Sequence, residues 1–154
     1  ISPHRLLSHE YACDSAGPGR QRGGLGVETR YLVGGADTQV VTFGDGDIEP
    51  AFGLSGGGNG TLNFIDLEYP DGTRYRATTK DHVKGVPAGT LYVQHAGGGG
   101  GHGPPHERPA DVVAREVRDG IVSVEAARQH YGVAVDPKSF ALDIAETARM
   151  RGSP

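Results

Sequence analysis

The chain has 154 residues, enough for one domain with a real core, and its 15 basic and 19 acidic residues give a formal net charge of −4. That balance excludes the electrostatic footprint of a nucleic-acid or anionic-membrane binder, and no apolar run approaches the roughly 18 residues of a membrane span. Composition is dominated by 26 glycines and 10 prolines, with no tryptophan; without a collagen period this points to tight turns and close backbone approaches. A single cysteine, Cys13, excludes an internal disulfide framework and fits a reducing compartment, so a cytoplasmic location is expected. The opening Ile1-Ser2-Pro3-His4 is no signal peptide and lacks an initiator methionine, and the chain is expected to be a piece of a longer polypeptide.

Arg5 to Ala12 is short of turn signals and reads as a candidate strand whose partner could lie outside the chain. A glycine-rich loop, Asp14 to Gly26, follows and carries Arg20 and Arg22 as its basic pair. Val27 to Val33 and Gln39 to Phe43 are rich in β-branched and aromatic residues and are expected strands. Asp45 to Pro50 superficially resembles a calcium loop but lacks the glycine and distant glutamate of an EF-hand, so it reads as an acidic turn. Gly53 to Gly57 spells G-x-S-x-G around Ser55, but a nucleophile elbow needs a strand before and a helix after, and here Pro50 precedes and glycine follows. Leu62 to Tyr69 and Thr73 to Lys80 flank Pro70-Asp71-Gly72, a hairpin signal, with Asn63, Ile65, Leu67 and Tyr69 as the core face and Lys80-Asp81-His82 as its end. Thr90 to His95 is a last strand that delivers the run Gly97 to Gly101.

After Pro109 the period changes to helical. Ala110 to Asp119 places Val112, Val113 and Val117 at helical spacing, Ser123 caps a helix over Val124 to Tyr131 that Gly132 closes, and Asp136-Pro137 is expected to open a third helix. The fold class is therefore α+β: an antiparallel β-rich unit, barrel-like or sandwich-like, with glycine-rich loops over residues 1–108, followed by short C-terminal helices over 109–154.

The glycine run ends in His102, His106, Glu107 and Arg108. Five glycines match G-x-G-x-x-G almost automatically, and Pro104-Pro105 interrupt the strand-to-helix context a dinucleotide site needs; no phosphate loop occurs either. The helix start after Arg108 could attract an anion, reinforced by Arg108 and a nearby histidine. His102 and His106 stand at i, i+4, a spacing that counts only on a helix, which Pro104-Pro105 disfavour, and no nearby carboxylate beyond Glu107 completes a set with them and His95, so no metal is expected in this chain.

Three stretches together resemble the C-terminal part of the hydantoinase B / 5-oxoprolinase family: Asp14 to Gly26, Thr90 to Gly103 with Glu107-Arg108, and Gly120 to Arg128 with Tyr131-Gly132-Val133. Phe52 to Gly57 and Lys80 fit as well, whereas His102 stands where that family usually has an aromatic residue and Pro104 where an aspartate is common. The resemblance implies an ATP-dependent enzyme in which a hydantoinase A type partner binds ATP and Mg and phosphorylates a cyclic amide or ketone oxygen, while the B region completes hydrolysis. Any metal would sit in the N-terminal part of the B subunit. A related branch, the acetone and acetophenone carboxylases, adds bicarbonate-derived CO2 with the same parts. On this reading the partners are the remainder of the B subunit, the ATPase subunit and a small-molecule substrate, and Arg20, Arg22, Lys80, His102 and Arg108 are the candidate groups for binding the anionic intermediate.

Overall fold

The alternation read from the sequence folds into seven principal strands, which the computed structural model places within the described residues 3–152. They are β1 (Arg5–Tyr11), β2 (Val27–Leu32), β3 (Thr38–Phe43), β4 (Phe64–Glu68), β5 (Arg74–Ala77), β6 (Lys80–Val86) and β7 (Leu91–Ala96). Five form one antiparallel sheet in the order β1-β2-β7-β4-β5, and β3 pairs with β6 in a separate ribbon. Val33, Leu67 and Val86 are buried between sheet and ribbon, with Val40, Val83 and Tyr92 packed around them. The β-unit is thus two-layered and open at its edges, and not a closed barrel.

Local chemistry explains most boundaries. Pro70-Asp71-Gly72 closes the β4-β5 hairpin: Gly72 takes φ +86° and its amide donates to the Tyr69 carbonyl at 2.9 Å. The core face of β4 is anchored by Leu67, which is fully buried, but Asp66 on the opposite face is buried as well, because the Arg76 guanidinium holds both its carboxylate oxygens at 2.6 Å. Three expectations need correction. β1 pairs with β2 inside the chain, Glu10 opposite Glu28, rather than with an outside strand. Lys80 does not end the hairpin; the chain bends at Thr78-Thr79 and Lys80 begins β6, since the Thr42 hydroxyl and the Asp47 carboxylate take the backbone amides of Asp81 and Thr79 at the bend.

The third correction lies near the C-terminus. α1 (Ala110–Arg118) and α2 (Val124–Tyr131) form as expected, α2 with Ser123 as its cap and Gly132 at φ +61°. Asp136-Pro137, however, starts no helix. The Asp136 carboxylate accepts the amides of Lys138 and Ser139, Phe140 adopts φ +57°, and the Asp136 amide returns to the Ala141 carbonyl, closing a hairpin between β8 (Ala134–Val135) and β9 (Leu142–Asp143). Asp143 caps α3 (Ile144–Met150) through the Glu146 amide at 2.9 Å. Val113, Val117, Val122, Ala127, Tyr131 and Val133 build a second core among these elements. The outer limits of the expected division, residues 1 and 154, lie outside the described residues.

The glycine-rich segments form a third structural unit. Gly97 to Gly103 runs as an extended segment enclosed by residues 15–19, 21–24, 51–54 and 57–61. Its partners repeat every three residues: the amides of Gly99 and His102 donate to the carbonyls of Gly24 and Gln21 at 2.9 and 2.8 Å, and those of Gly98 and Gly101 donate to the Thr61 hydroxyl and the Gly58 carbonyl at 3.2 and 2.9 Å. A Cβ would overlap the Ser15 and Pro18 carbonyls at Gly98 and Gly101, and the Thr61 and Phe52 carbonyls at Gly97 and Gly100. Three residues per turn is the period of a polyproline II helix, here without side chains from Gly97 to Gly101 and hydrogen-bonded laterally to its neighbours. Neighbouring glycines answer in kind, since a Cβ at Gly23 or Gly60 would overlap the carbonyl of Gly99 or Gly98.

Where the sheet meets this bundle, Phe64 is sandwiched on one face of β4 between the His95 ring of β7, stacked at 4.6 Å, and the Arg76 guanidinium of β5, 4.3 Å from the ring centroid. The His95 Nδ1 is buried and has no hydrogen-bond partner among the described residues. Burial holds the imidazole below its usual pKa of 6.5, opposed by Glu28 directly across the ladder.

Two predictions follow from these contacts. Gly60→Ala, which drives a methyl onto the Gly98 carbonyl, is expected to lower the thermal midpoint of the full-length subunit by an amount equivalent to about 2–3 kcal/mol; Gly24→Ala, with nothing within 4 Å of the added carbon, should stay within about 0.5 kcal/mol of the parent. Equal midpoints for the two would contradict the enclosed bundle. For His95, the native state binds the proton less readily than the unfolded chain, so the stabilisation by the neutral ring is present above the unfolded pKa near 6.5 and lost as pH falls through the lower native value. Between roughly pH 7 and 5 the melting midpoint should therefore drop further in the parent than in His95→Phe, which keeps the stack but cannot titrate; parallel pH profiles would sink this assignment.

Candidate functional site

The far end of the glycine bundle gathers charge. His102 is bridged by backbone to Gln21 on one side and Leu54 on the other, and its side chain is exposed. Arg20 follows the same turn, with its amide on the Gly103 carbonyl at 3.1 Å and its guanidinium 3.8 Å from Glu107. Prolines 104 and 105 then lead through a single 3-10 turn (Pro105–Glu107) to Arg108, and Pro109 precedes the first residue of α1.

Beneath this tip lies an ion triad. Glu116, on the buried face of α1, accepts hydrogen bonds from Arg108 through Nε and Nη2 at 3.1 and 2.8 Å and from Arg22 Nε at 3.0 Å. All three side chains are less than one-fifth exposed. Arg22 Nη1 also donates to the Gly23 carbonyl and Arg108 Nη1 to the Arg20 carbonyl, so both guanidiniums brace the bundle backbone against α1. Charge-assisted, two-pronged contacts of this kind fix orientation as well as supplying energy. The helix start consequently does not present Arg108 to an outside anion, because that cation is turned inward onto its own helix.

Four of the five expected site residues, Arg20, Arg22, His102 and Arg108, are therefore brought together at one end of the bundle. Lys80 is not among them. It opens β6, donates to Asp45 at 2.6 Å, and has its pKa raised by that hydrogen bond and by the charges of Asp45 and Asp47. Asp45 lies by Gly97, at the opposite end of the run from His102, a separation of about 15 Å along five residues of such a helix. In the acidic turn Asp47 accepts the Thr79 amide, and among the described residues there is no group of three or more His, Cys, Asp or Glu that could hold a metal. Ser55, in the G-x-S-x-G stretch, takes φ +52° in a turn from Leu54 to Gly57 that folds the chain back into the bundle, with no helix following.

Glu116 escaped the reading of the sequence, though a signal was present. It falls between Val113 and Val117 on the apolar stripe of α1, where a carboxylate without partners would be costly to bury. Tyr131 was likewise read only as the end of α2, yet it is 2% exposed and faces the charge cluster formed by Glu116, Arg108, Arg22 and Asp14. Burial raises its phenol pKa, Glu116 adds to that, and the two arginines oppose it. Between the bundle and α2 opens a cleft of about 360 Å³ lined by residues of both, Tyr131 among them.

Glu116→Gln removes the one carboxylate that compensates two buried guanidiniums and is expected to cost about 3–5 kcal/mol. The triple replacement Arg22→Met, Glu116→Leu, Arg108→Met should recover most of that loss, since it removes all three charges together. Thermal midpoints of the full-length subunit check both; a silent Glu116→Gln would show that the triad is not a structural clamp.

The same backbone arrangement recurs in known proteins. The β subunit of a caprolactamase from Pseudomonas jessenii is 33% identical over 137 residues, covering 85% of this chain and 23% of that subunit. The crystal structure of the ATP-dependent caprolactamase from Pseudomonas jessenii matches with a TM-score of 0.66 at 27% identity, over 98% of this chain and 26% of that one. Nucleotide-free acetone carboxylase matches with a TM-score of 0.84 at 24% identity, over 97% of this chain and 24% of that one, a likeness that bears on the fold. The chain spans about a quarter of the length of these relatives. The pattern described as Hydantoinase B/oxoprolinase matches residues 1–105, the stretch that contains every strand of the sheet and every segment of the glycine bundle, and the chain belongs to that family.

Proposed function

We propose that this chain is a C-terminal stretch of the B-type subunit of an ATP-dependent hydrolase of cyclic amides, in which it helps form the site that completes hydrolysis of a phosphorylated substrate. The observation that carries this reading is the 33% identity to a caprolactamase β subunit over 85% of the chain. Residues 1–108 supply the β-rich scaffold and the glycine bundle, and residues 109–154 the helical tail clamped to it through Glu116. Arg22 and Arg108 act as positioning residues, because their charges are taken up by Glu116. Arg20, His102 and Lys80 keep exposed side chains, and these bind the anionic intermediate at surfaces shared with the rest of the assembly.

The sequence has no phosphate loop, and the described residues contain no cluster of three or more metal-ligating side chains. In this proposal ATP and Mg belong to a hydantoinase A type partner subunit, as the family resemblance implies. No helix among the described residues is long and apolar enough to cross a membrane. The alternative within the same architecture is a ketone carboxylase, favoured by the fold likeness to acetone carboxylase.

The test is ADP release by the full-length subunit co-expressed with its ATPase partner. Release that depends on caprolactam, hydantoin or 5-oxoproline is expected. Release that depends instead on a ketone together with bicarbonate would establish the carboxylase alternative, and assembly without any substrate-dependent release would reduce this chain to a scaffold.

A further inference from the structure

The pairing of β1 with β2 takes up only one edge of β1, which is the outermost strand of the five-stranded sheet. The Ala12 amide donates to the Gly26 carbonyl at 2.9 Å, in register with the β1-β2 ladder. Hydrogen-bonded positions alternate along an antiparallel pair, so the backbone groups of Ser8 and Glu10 face β2 and those of His9 and Tyr11 face away from it. The two edges of the sheet differ. At the far edge β5 has four residues, and its Arg74 and Arg76 are ion-paired to Glu68 and Asp66 of β4. Shortness and charge blunt an edge against further pairing. β1 has seven residues and no proline, and its bulge between Leu6 and Ser8 leaves Ser8 to Tyr11 regular. Leu6, Leu7 and Tyr11 are 52, 47 and 74% exposed. A long, apolar, uncovered edge of this kind is a template for another strand.

The entry of the chain into the sheet points to the occupant. A Cβ at Gly34 would meet the Pro3 carbonyl at 2.0 Å, and the Gly34 amide donates to His4 Nδ1 at 3.3 Å, so the backbone at Pro3 is held against the sheet beside the start of β1. This chain spans about a quarter of the length of its relatives, and on the functional reading given above the remaining length precedes it. Polypeptide arriving at Pro3 lies next to the open edge, and strands consecutive in sequence pair or neighbour one another about two-thirds of the time. We infer that the segment directly upstream of this chain in the full subunit forms a strand antiparallel to β1. It bonds to the outward backbone groups of His9 and Tyr11, covers the exposed side chains of β1 and becomes the sixth strand of the sheet. The inference rests on that functional reading and adds to it the contact that joins this stretch to the rest of its subunit.

Residue-resolved amide hydrogen exchange on the full subunit, assembled with its ATPase partner, tests whether the edge is covered. Ser8 and Glu10 are bonded to β2 in either case and serve as the internal reference. His9 and Tyr11 should exchange as slowly as these two, slower than free amides by a factor on the order of 100. The occupant is identified by Tyr11→p-benzoylphenylalanine, irradiated in the same assembly, with the cross-linked peptides mapped by mass spectrometry. The adduct is expected within about 20 residues before Arg5, the reach of one strand and a short connection. Rapid exchange at His9 and Tyr11, or an adduct to a second copy, to the ATPase subunit or to a distant part of the same subunit, would overturn the inference. If cyclic-amide-dependent ADP release persists in that case, the functional reading stands without it. A natural subunit of only this chain's 16.1 kDa would overturn both.

Discussion

Backbone against backbone at the glycine bundle is the constraint on which the rest of this structure depends. Five segments approach so closely that a Cβ is excluded at Gly97, Gly98, Gly100 and Gly101 of the central one, and the amides of Gly97, Gly98, Gly99 and Gly101 donate to a carbonyl or hydroxyl oxygen on a neighbour. The usual hydrophobic driving force is small in such a region. Order comes instead from lateral hydrogen bonding and dispersion between bare backbones, at the cost of the large conformational entropy that glycine loses on folding. Such a unit is stiff once formed and cannot form alone.

The two flanking cores supply what the bundle lacks. β7 delivers the glycine run at a fixed register because Leu91 to Ala96 is paired on both sides, by β2 and by β4. At the other end the run is caught by α1 through Arg22, Glu116 and Arg108, an arrangement in which two cations on the bundle side share one carboxylate on the helix side. A buried ion pair adds little net stability compared with apolar packing, but it is strongly directional. That property suits a joint between a side-chain-free bundle and an ordinary helical core, where no apolar surface exists on one side to be buried.

Much of this was legible in the residues. Alternation in β2, β3, β4 and β7, the Pro70-Asp71-Gly72 turn, the Ser123 cap and the Gly132 stop all act through neighbours in sequence, and the structure reproduces them. The glycine runs announced close backbone approach because no other reason suffices for so many positions without side chains. What the sequence could not say is which segments approach which: the partners of Gly97 to Gly103 come from residues 15–24 and 51–63, and glycine carries no side-chain pattern from which register can be read. Asp136 shows the same limit on a smaller scale, since its carboxylate can cap a helix or close a turn with equal local chemistry, and the pairing of Val135 with Leu142 selected the turn. Glu116 was visible as an acid on an apolar stripe, but its partners lie 94 and 8 residues away. Local propensity and turn chemistry thus belonged to the sequence, whereas the bundle, the triad and the cleft were decided by tertiary structure, because each is made of contacts between segments that share no periodicity.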